Sequence, residues 1–286
     1  MWVIFAFGSA FFAGVTAILA KVGIKNVNSN VATAIRTVVI LVFSWLMVFI
    51  TGSQSTLGDI SAHTLLFLAL SGIATGASWL CYFRALQLGD VNKVAPIDKS
   101  STVLTMLLAF IFLGEGFTAT KLAGMLGIAV GTYMMITKKH SQKSTENGCS
   151  WLVYAVLSAV FASLTAILGK VGIAGVDSNL GTALRTCVVL LMAWAMVFIT
   201  RKQGEIKCID KRSMAFICLS GITTGLSWLC YYRALQSGEA GIVVPIDKLS
   251  ILVTVAFSYI ILHEKLSKKA AWGLCLLTLG TLALLF

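Results

Sequence analysis

Two prolines, Pro96 and Pro245, lie 149 residues apart in this 286-residue chain, and most of the sequence repeats at that same offset. Residues 2–51 match residues 151–200 without a gap, with more than half of the positions identical. "TAILAKVGI" (16–24) returns as "TAILGKVGI" (165–173), "SWLCYFRALQLG" (78–89) as "SWLCYYRALQSG" (227–238), and "PIDKSS" (96–101) as "PIDKLS" (245–250). A duplication of this length means one structural unit used twice, and the fold has to be read from the unit.

Each copy holds five apolar segments. They fall at about 2–20, 31–50, 64–87, 92–113 and 121–137 in the first copy, and at 151–169, 180–199, 214–236, 240–262 and 270–286 in the second. A bilayer span needs about 20 apolar residues. The composition agrees: 58% of residues are hydrophobic and 12% charged, with a mean hydropathy of +0.92, whereas soluble domains carry roughly twice that share of charge. The expected fold class is all-α, a polytopic membrane protein of ten transmembrane helices. Its domains are two five-helix repeats, 1–137 and 151–286, joined by the hydrophilic linker 138–150. The first segment lacks the basic start of a signal peptide, and its copy is internal, so it reads as a true span.

Five spans per copy is an odd number, so the second copy should be inverted relative to the first. The basic residues test this. Four positions are basic in both copies (Lys21/Lys170, Arg36/Arg185, Arg84/Arg233 and Lys99/Lys248), which leaves fourteen of the 22 Lys and Arg. Thirteen of the fourteen map to one side of a ten-span arrangement, and only Lys121 maps to the other. Equivalent loops carry opposite bias: "TGSQSTLGDISAH" (51–63) has no basic residue, while "TRKQGEIKCIDKR" (200–212) has five. Inverted homologous halves obeying the positive-inside rule give this pattern. The basic side is then cytoplasmic and both termini face outward. The net charge of +11 is topological rather than a nucleic-acid footprint, because no soluble basic run with interleaved aromatics exists.

Charges retained in both copies need another reason. A charge at the bilayer centre costs at least ~2.5–3.5 kcal/mol. Asp98-Lys99 follow Pro96, and Asp247-Lys248 follow Pro245. Proline frees a carbonyl upstream and marks a kinked or broken helix, and broken segments at matched positions in two halves point to a transporter's site. Asp98, Ser101, Thr102 and Thr105 fall on one helical face, repeated by Asp247, Ser250 and Thr254. Lys99 and Lys248 are rotated about 100° away. The structural alternative is an ion pair of Asp98 with Arg84, and of Asp247 with Arg233, packing the third segment on the fourth. Lys21/Lys170 and Arg36/Arg185 read as gate or pocket-rim contacts. Glu115 and Glu264, which end segments 4 and 9, are placed to bind first-turn amides of the next helix.

Segments 3 and 8 carry matching polar stripes: Ser71, Thr75, Ser78 and Tyr82 in one, Ser220, Thr224, Ser227 and Tyr231 in the other. Trp79 and Trp228 sit beside them. These side chains either face a central cavity, where the aromatics hold a ring or a cation, or pack helix on helix. Gly72-x-x-x-Gly76 and Gly221-x-x-x-Gly225 mark close packing. Gly124, Gly127 and Gly131, with Gly273 and Gly280, serve either contacts within the bundle or a homodimer.

The chain resembles the drug/metabolite transporter superfamily, in particular its ten-helix EamA-type members. The likeness lies in "ATAIRTVVILV" and "GTALRTCVVLL" of segments 2 and 7, "WLCYFRALQLG" of segment 3 with its copy, and "AFIFLGEGFT" and "SYIILHEKLS" closing segments 4 and 9. The resemblance implies alternating access around a cavity lined by segments 3, 4, 8 and 9, and secondary transport of small metabolites, often export. Many relatives carry apolar or small residues where this chain has "PIDK", which favours a polar cargo.

The leading functional reading is a secondary transporter for a small polar metabolite, amino acid-like or zwitterionic. Asp98 and Asp247 would be cation or proton sites, with H⁺ or Na⁺ as the coupling ion, and Lys99 and Lys248 would meet anionic groups. The alternative is an exporter of lipophilic cations in which the charges only brace. The expected partners are the substrate and membrane lipid, in a bacterial or archaeal plasma membrane, and no cofactor is expected. Seven cysteines contain no Cys-x-x-Cys, the three histidines have no metal-ligand spacing, and no hydrolase, metalloprotease or phosphate-binding motif occurs. The sequence reads as no enzyme.

Overall fold

The computed structural model describes residues 1–23, 27–88, 94, 97–116, 118–135, 150–262 and 267–286. The expected linker apart from Ser150, Pro96, Glu264 and the side chain of Lys21 lie outside them. Among the described residues the ordered elements are all helical. They are α1 (Trp2–Gly23), α2 (Ser29–Thr51), α3 (Ala62–Leu88), α4 (Ser101–Leu113), α5 (Ala119–Met135), α6 (Ser150–Ile173), α7 (Ser178–Ile199), α8 (Lys211–Ser237), α9 (Ala240–Lys248), α10 (Ser250–Leu262) and α11 (Lys268–Ala283). Two short 3₁₀ turns, Ser53–Asp59 and Gln203–Cys208, follow α2 and α7.

Seven described stretches are long and apolar enough to cross a membrane: α1, α2, α3, α6, α7, α8 and the run through α9 into α10. The helices α5 and α11, of 17 and 16 residues, fall just short of a full span. Large apolar side chains such as Ile50, Leu191 and Ile199 stand about 70% exposed, which water would penalise and lipid does not.

The duplication is visible in how the helices start. Asn28 Oδ1 accepts the Asn30 amide at 3.0 Å, and Asp177 Oδ1, at the same repeat position, accepts the amides of Asn179 and Leu180 at 3.0 and 3.3 Å. Ser61 and Asp210 cap α3 and α8 through the amides of Thr64 and Ser213, at 3.1 and 3.0 Å. Thr118 and Ser267 do the same for α5 and α11, each at 3.2 Å. Each cap satisfies one or two amides that the helix cannot pair internally. At the end of α2, Gly52 adopts φ 71°; its repeat counterpart after α7 is Arg201, held at φ 54°, where a side chain costs about 1 kcal/mol.

The breaks in segments 4 and 9 coincide. A turn at Ser100 precedes α4, and a turn at Leu249 separates α9 from α10. Ser100 N–H bonds Ile97 O at 3.1 Å and Leu252 N–H bonds Leu249 O at 2.8 Å, both tightened three-residue turns. Asp98 therefore precedes the break and Ser101, Thr102 and Thr105 follow it. Asp247 lies in the last turn of α9, which ends at Lys248, while Ser250 and Thr254 belong to α10. The single helical face read from the sequence is split by this turn, because the proline upstream in the same segment removes a helix hydrogen bond. Thr105 and Thr254 hydroxyls then bond back to the carbonyls of Ser101 and Ser250, at 2.8 and 3.0 Å.

The chain divides into two compact units. Met1–Ile73, Leu168–Gly238 and Asp247–Glu264 form the first; Ala74–Ile167, Glu239–Ile246 and Lys265–Phe286 form the second. In the first unit α1 packs on α8 with Ser9 beside Ser227, Thr16 beside Thr223 and Gly23 against Phe216, so the two helices run antiparallel. The end of α2 meets the start of α7, where Asn179 Nδ2 donates to Thr51 Oγ1 at 3.4 Å. In the second unit α5 and α11 pack antiparallel through glycines: a Cβ on Gly131 would lie 2.6 Å from Gly273 O, and one on Gly124 2.7 Å from Gly280 O. The glycine stripes are thus occupied by one another within the chain. Helices α2 and α7, like α5 and α11, are repeat equivalents, and both pairs are antiparallel.

Candidate functional site

The first unit brings Ser9 of α1, Ser227 of α8 and Asp247 of α9 together. Ser9 Oγ donates to Asp247 Oδ1 at 2.6 Å and lies 3.2 Å from Ser227 Oγ, while Ser227 Oγ donates to the Ser9 carbonyl at 3.1 Å. The second unit holds the same cluster with the copies exchanged. Ser158 Oγ of α6 donates to Asp98 Oδ1 at 3.1 Å, and Ser78 Oγ of α3 donates to the Ser158 carbonyl at 3.0 Å, with the two hydroxyls 3.4 Å apart. In each unit a carboxylate and a serine from one repeat meet a serine from the other.

Sequence reasoning missed Ser9 and Ser158. The signal was present: Ser9-Ala10 and Ser158-Ala159 are the same dipeptide at the same repeat position, a hydroxyl inside an otherwise apolar segment. The stripes on α3 and α8 are read better as helix seams than as cavity walls. Thr75 Oγ1 lies 3.3 Å from Thr165 Oγ1, and Thr224 Oγ1 donates to Thr16 Oγ1 at 3.4 Å. Hydroxyls zip α3 to α6 and α8 to α1, and the Asp residues sit at one end of each seam.

The basic residues divide. Arg185 is 3% exposed. Its Nε donates to Ser71 Oγ at 3.0 Å, and its guanidinium carbon lies 5.1 Å from the Trp228 ring centre and 5.0 Å from that of Tyr232. The cation that Trp228 holds is this arginine, with each such stacking contact contributing about 0.5–2 kcal/mol. Tyr231 stacks edge-on against Tyr232 at 5.3 Å. Tyr82 packs with Ala85, Val94, Ala155, Ile97, Trp151 and Tyr154, and Trp79 is half-buried. Arg36, the repeat counterpart of Arg185, is half-buried, and Ser220, the counterpart of Ser71, donates to its own helix at Ile217 O, 2.7 Å away.

Arg84 and Arg233 are exposed, and Arg233 Nη1 donates to Gln236 Oε1 at 3.1 Å. Among the described residues no ion pair joins Asp98 to Arg84 or Asp247 to Arg233. Asp98 and Asp247 are half-buried, while the adjoining Lys99 and Lys248 are exposed. Of the remaining expected site residues, Thr102 is buried and Ser101 and Ser250 are half-buried.

Lys170 closes a helix end. Its ammonium donates to the carbonyls of Leu235 and, at 2.7 Å, Gly238, at the C-terminus of α8. Gln236 of α8 returns the contact, donating to the carbonyls of Val176, just past α6, and Ile173, its last residue, at 2.7 and 3.2 Å. These carbonyls have no helical partner, and a cation at a helix C-terminus also complements the helix dipole. A cavity of about 350 Å³ opens beside this clasp, lined by Asp59, Asp177 and Gln236 among others.

Among the described residues Glu115 caps not α5, the next helix expected from the sequence, but α9. Its carboxylate accepts the amides of Ala240 and Gly241 at 2.5 and 2.8 Å, at the first turn of α9, where the dipole favours an anion. Lys121, which the sequence reading sets apart from the other unshared basic residues, is paired with Glu239.

Residues 1–137 and 149–286 match the model of the EamA-like transporter family. The uncharacterized transporter in the cobO 3′ region of a Sinorhizobium species is 48% identical over 134 residues, which make up 47% of this chain and 95% of that protein. The uncharacterized transporter YvbV of Bacillus subtilis is 29% identical over 148 residues, 51% of this chain and 48% of that one. A protein of known crystal structure superposes with a TM-score of 0.74 over 98% of this chain and 95% of that chain, at 15% identity, a likeness of fold alone.

Proposed function

Because the chain belongs to the EamA-like transporter family, and is therefore an integral membrane transporter and not an enzyme, we propose that it is a secondary active exporter of small polar metabolites. The cargo is amino acid-like or zwitterionic. The two repeats lie inverted across the membrane as ten spans, and cargo passes by alternating access through a site that includes Asp98, Lys99, Asp247 and Lys248. The antiparallel packing of repeat-equivalent helices supports the inversion.

The observation that carries the polar-cargo reading is the treatment of the two carboxylates. Each is held by a serine hydroxyl, with no arginine paired to either among the described residues, and each stands beside a helix break and an exposed lysine. A carboxylate kept only as a brace would be paired. The competing reading, an exporter of lipophilic cations, needs open aromatic faces, and Trp228 has Arg185 against its ring.

The test is counterflow in liposomes loaded with a mixed pool of labelled amino acids. Asp98→Asn and Lys99→Ala abolish exchange while the protein still folds, as judged by its elution as a single species in detergent. Normal exchange by both variants would remove these residues from the transport site.

A further inference from the structure

The antiparallel pair α5 and α11 has two ends that match in backbone and differ in surface. At one end a Cβ on Gly131 would lie 2.6 Å from Gly273 O, and one on Gly273 2.7 Å from Gly131 O. At the other, a Cβ on Gly124 would lie 2.7 Å from Gly280 O, and one on Gly280 2.8 Å from Gly124 O. The repeat operation exchanges these two contacts. The first end carries Lys268, Lys269 and Trp272 of α11 with Tyr133 of α5; the equivalent positions at the second are Ala119, Thr120, Ala123 and Leu282. Trp272 and Tyr133 stand 70% and 69% exposed, and both lysines are exposed. Lys269 Nζ lies 5.8 Å from the Tyr133 ring centre. Lys268 is one turn before Trp272, on the exposed face that Cys275 and Leu279 continue.

Packing within the chain does not call for these four side chains, because all of them point away from the seam. Orientation by charge accounts for the lysines but not for the rings: Trp and Tyr ordinarily mark both membrane interfaces, and here one end of the pair has them and the other has none. The two helices contain no acidic residue, and among the described residues no carboxylate pairs with Lys268 or Lys269. The basic residue at the opposite end, Lys121, is taken by Glu239.

We infer that this end of the α5–α11 pair binds an anionic phospholipid. Lys268 and Lys269, whose long stems carry their charge to the headgroup level, take the phosphate. Trp272 and Tyr133 lie against the glycerol region, where amphipathic rings settle, and the acyl chains run along the exposed side chains beneath, Leu279 on α11 and Val130 and Leu126 on α5. A free phosphate ion would use the lysines and leave the rings bare; a lipid uses both. The inference goes beyond the transporter reading and does not depend on the cargo. The proposed orientation places the lipid in the cytoplasmic leaflet, while the binding itself is independent of that orientation.

The experiment is native mass spectrometry of the whole chain in mild detergent, titrated with phosphatidylglycerol or with phosphatidylcholine of identical acyl chains. The wild-type chain retains one phosphatidylglycerol roughly thirtyfold more tightly than phosphatidylcholine, about fivefold for each lysine. Lys268→Gln with Lys269→Gln removes the preference, and Lys268→Arg with Lys269→Arg keeps it. Trp272→Ala with Tyr133→Leu, which installs the residues of the opposite end, weakens retention of both lipids. The control is Lys211→Gln with Arg212→Gln, which removes the same charge from exposed positions at the start of α8 and leaves the preference intact. All of these positions are exposed, and elution as a single species confirms that each variant folds. Equal retention of the two lipids by the wild-type chain overturns the inference, as does a control that loses the preference as fully as the Lys268 and Lys269 pair. Retention unchanged by loss of the rings, or displacement of the lipid by inorganic phosphate, overturns it in favour of a site for soluble anions. No cargo is measured, so this test can fail while counterflow succeeds, and the reverse.

Discussion

Replacing Gly131 by alanine tests the closest helix contact in the second unit. A Cβ at Gly131 would stand 2.6 Å from Gly273 O, 2.6 Å from Leu277 N and 3.0 Å from Leu277 Cα, against 3.4 Å where ordinary contact begins. All three atoms are backbone, so no rotamer change relieves the clash and α5 must retreat from α11. A retreat of about 0.5–1 Å forfeits a quarter to a half of each dispersion contact along the seam, and overpacking of this kind costs about 1–3 kcal/mol. Alanine regains roughly 0.5–1 kcal/mol as the better helix former. The expected net loss is therefore about 0–2.5 kcal/mol. Gly8→Ala is the matched control: its Cβ would meet only Cys230 Sγ at 3.6 Å, so the propensity gain stands and stability holds or rises. Reversible unfolding of purified protein in mixed micelles, followed by tryptophan fluorescence, measures both. Equal stabilities for the two variants, or a Gly131→Ala chain more stable than wild type, would refute the reasoning from backbone contact.

Three further outcomes are expected. In a variant whose sole cysteine is Cys208, which is exposed in the turn after α7, a membrane-impermeant maleimide labels inverted vesicles and not intact cells; labelling of intact cells would reverse the assigned orientation. Arg201→Gly, placing glycine at φ 54° as in the other repeat, raises stability by about 1 kcal/mol in the same unfolding assay, and a loss would mean that the backbone there is unstrained. On the proposed inverted-repeat mechanism, Arg36→Ala slows counterflow as much as Arg185→Ala, because the repeats would exchange roles between two access states and Arg36 would then take the Ser220 hydroxyl. Normal counterflow by Arg36→Ala would leave the Arg185–Ser71 bond a fixed brace.

The period of the duplication and the apolar runs made most helices legible, because a span is specified by composition over about 20 residues. The breaks after Asp98-Lys99 and Asp247-Lys248 were legible too, since proline acts on its own helix. What sequence could not supply was partnership between helices far apart in the chain. Whether the hydroxyls of α3 faced cargo or another helix depends on Ser158 and Thr165, 80 and 90 residues away. Glu115 reaches α9 rather than α5 for the same reason, as any exposed helix start offers free amides and only packing decides which one arrives. Lys170 likewise meets the end of α8, a partner 65 residues on that its own segment does not announce.

The polar contacts of the candidate site share one property that the duplication alone does not require. Ser9 bonds Asp247, Ser78 bonds Ser158, Ser158 bonds Asp98 and Arg185 bonds Ser71; each joins a residue of one repeat to a residue of the other. A repeat that satisfied its own buried hydroxyls would gain nothing from its copy. Here each copy leaves a serine or a carboxylate that the other completes, so the buried polar groups act as a registry device between halves whose apolar surfaces are interchangeable. The registry is chemically symmetric at the two Ser–Ser–Asp clusters and asymmetric at the arginines, where Arg185 holds Ser71 while Ser220 bonds its own helix. The backbone contacts beneath are alike in both places, with Gly72 against Val188 and Gly221 against Val39, each 2.8 Å from a would-be Cβ. The backbone approach is thus common to these two places, and the difference between them lies in the arginine side chain, which on the proposed mechanism is what two access states would exchange.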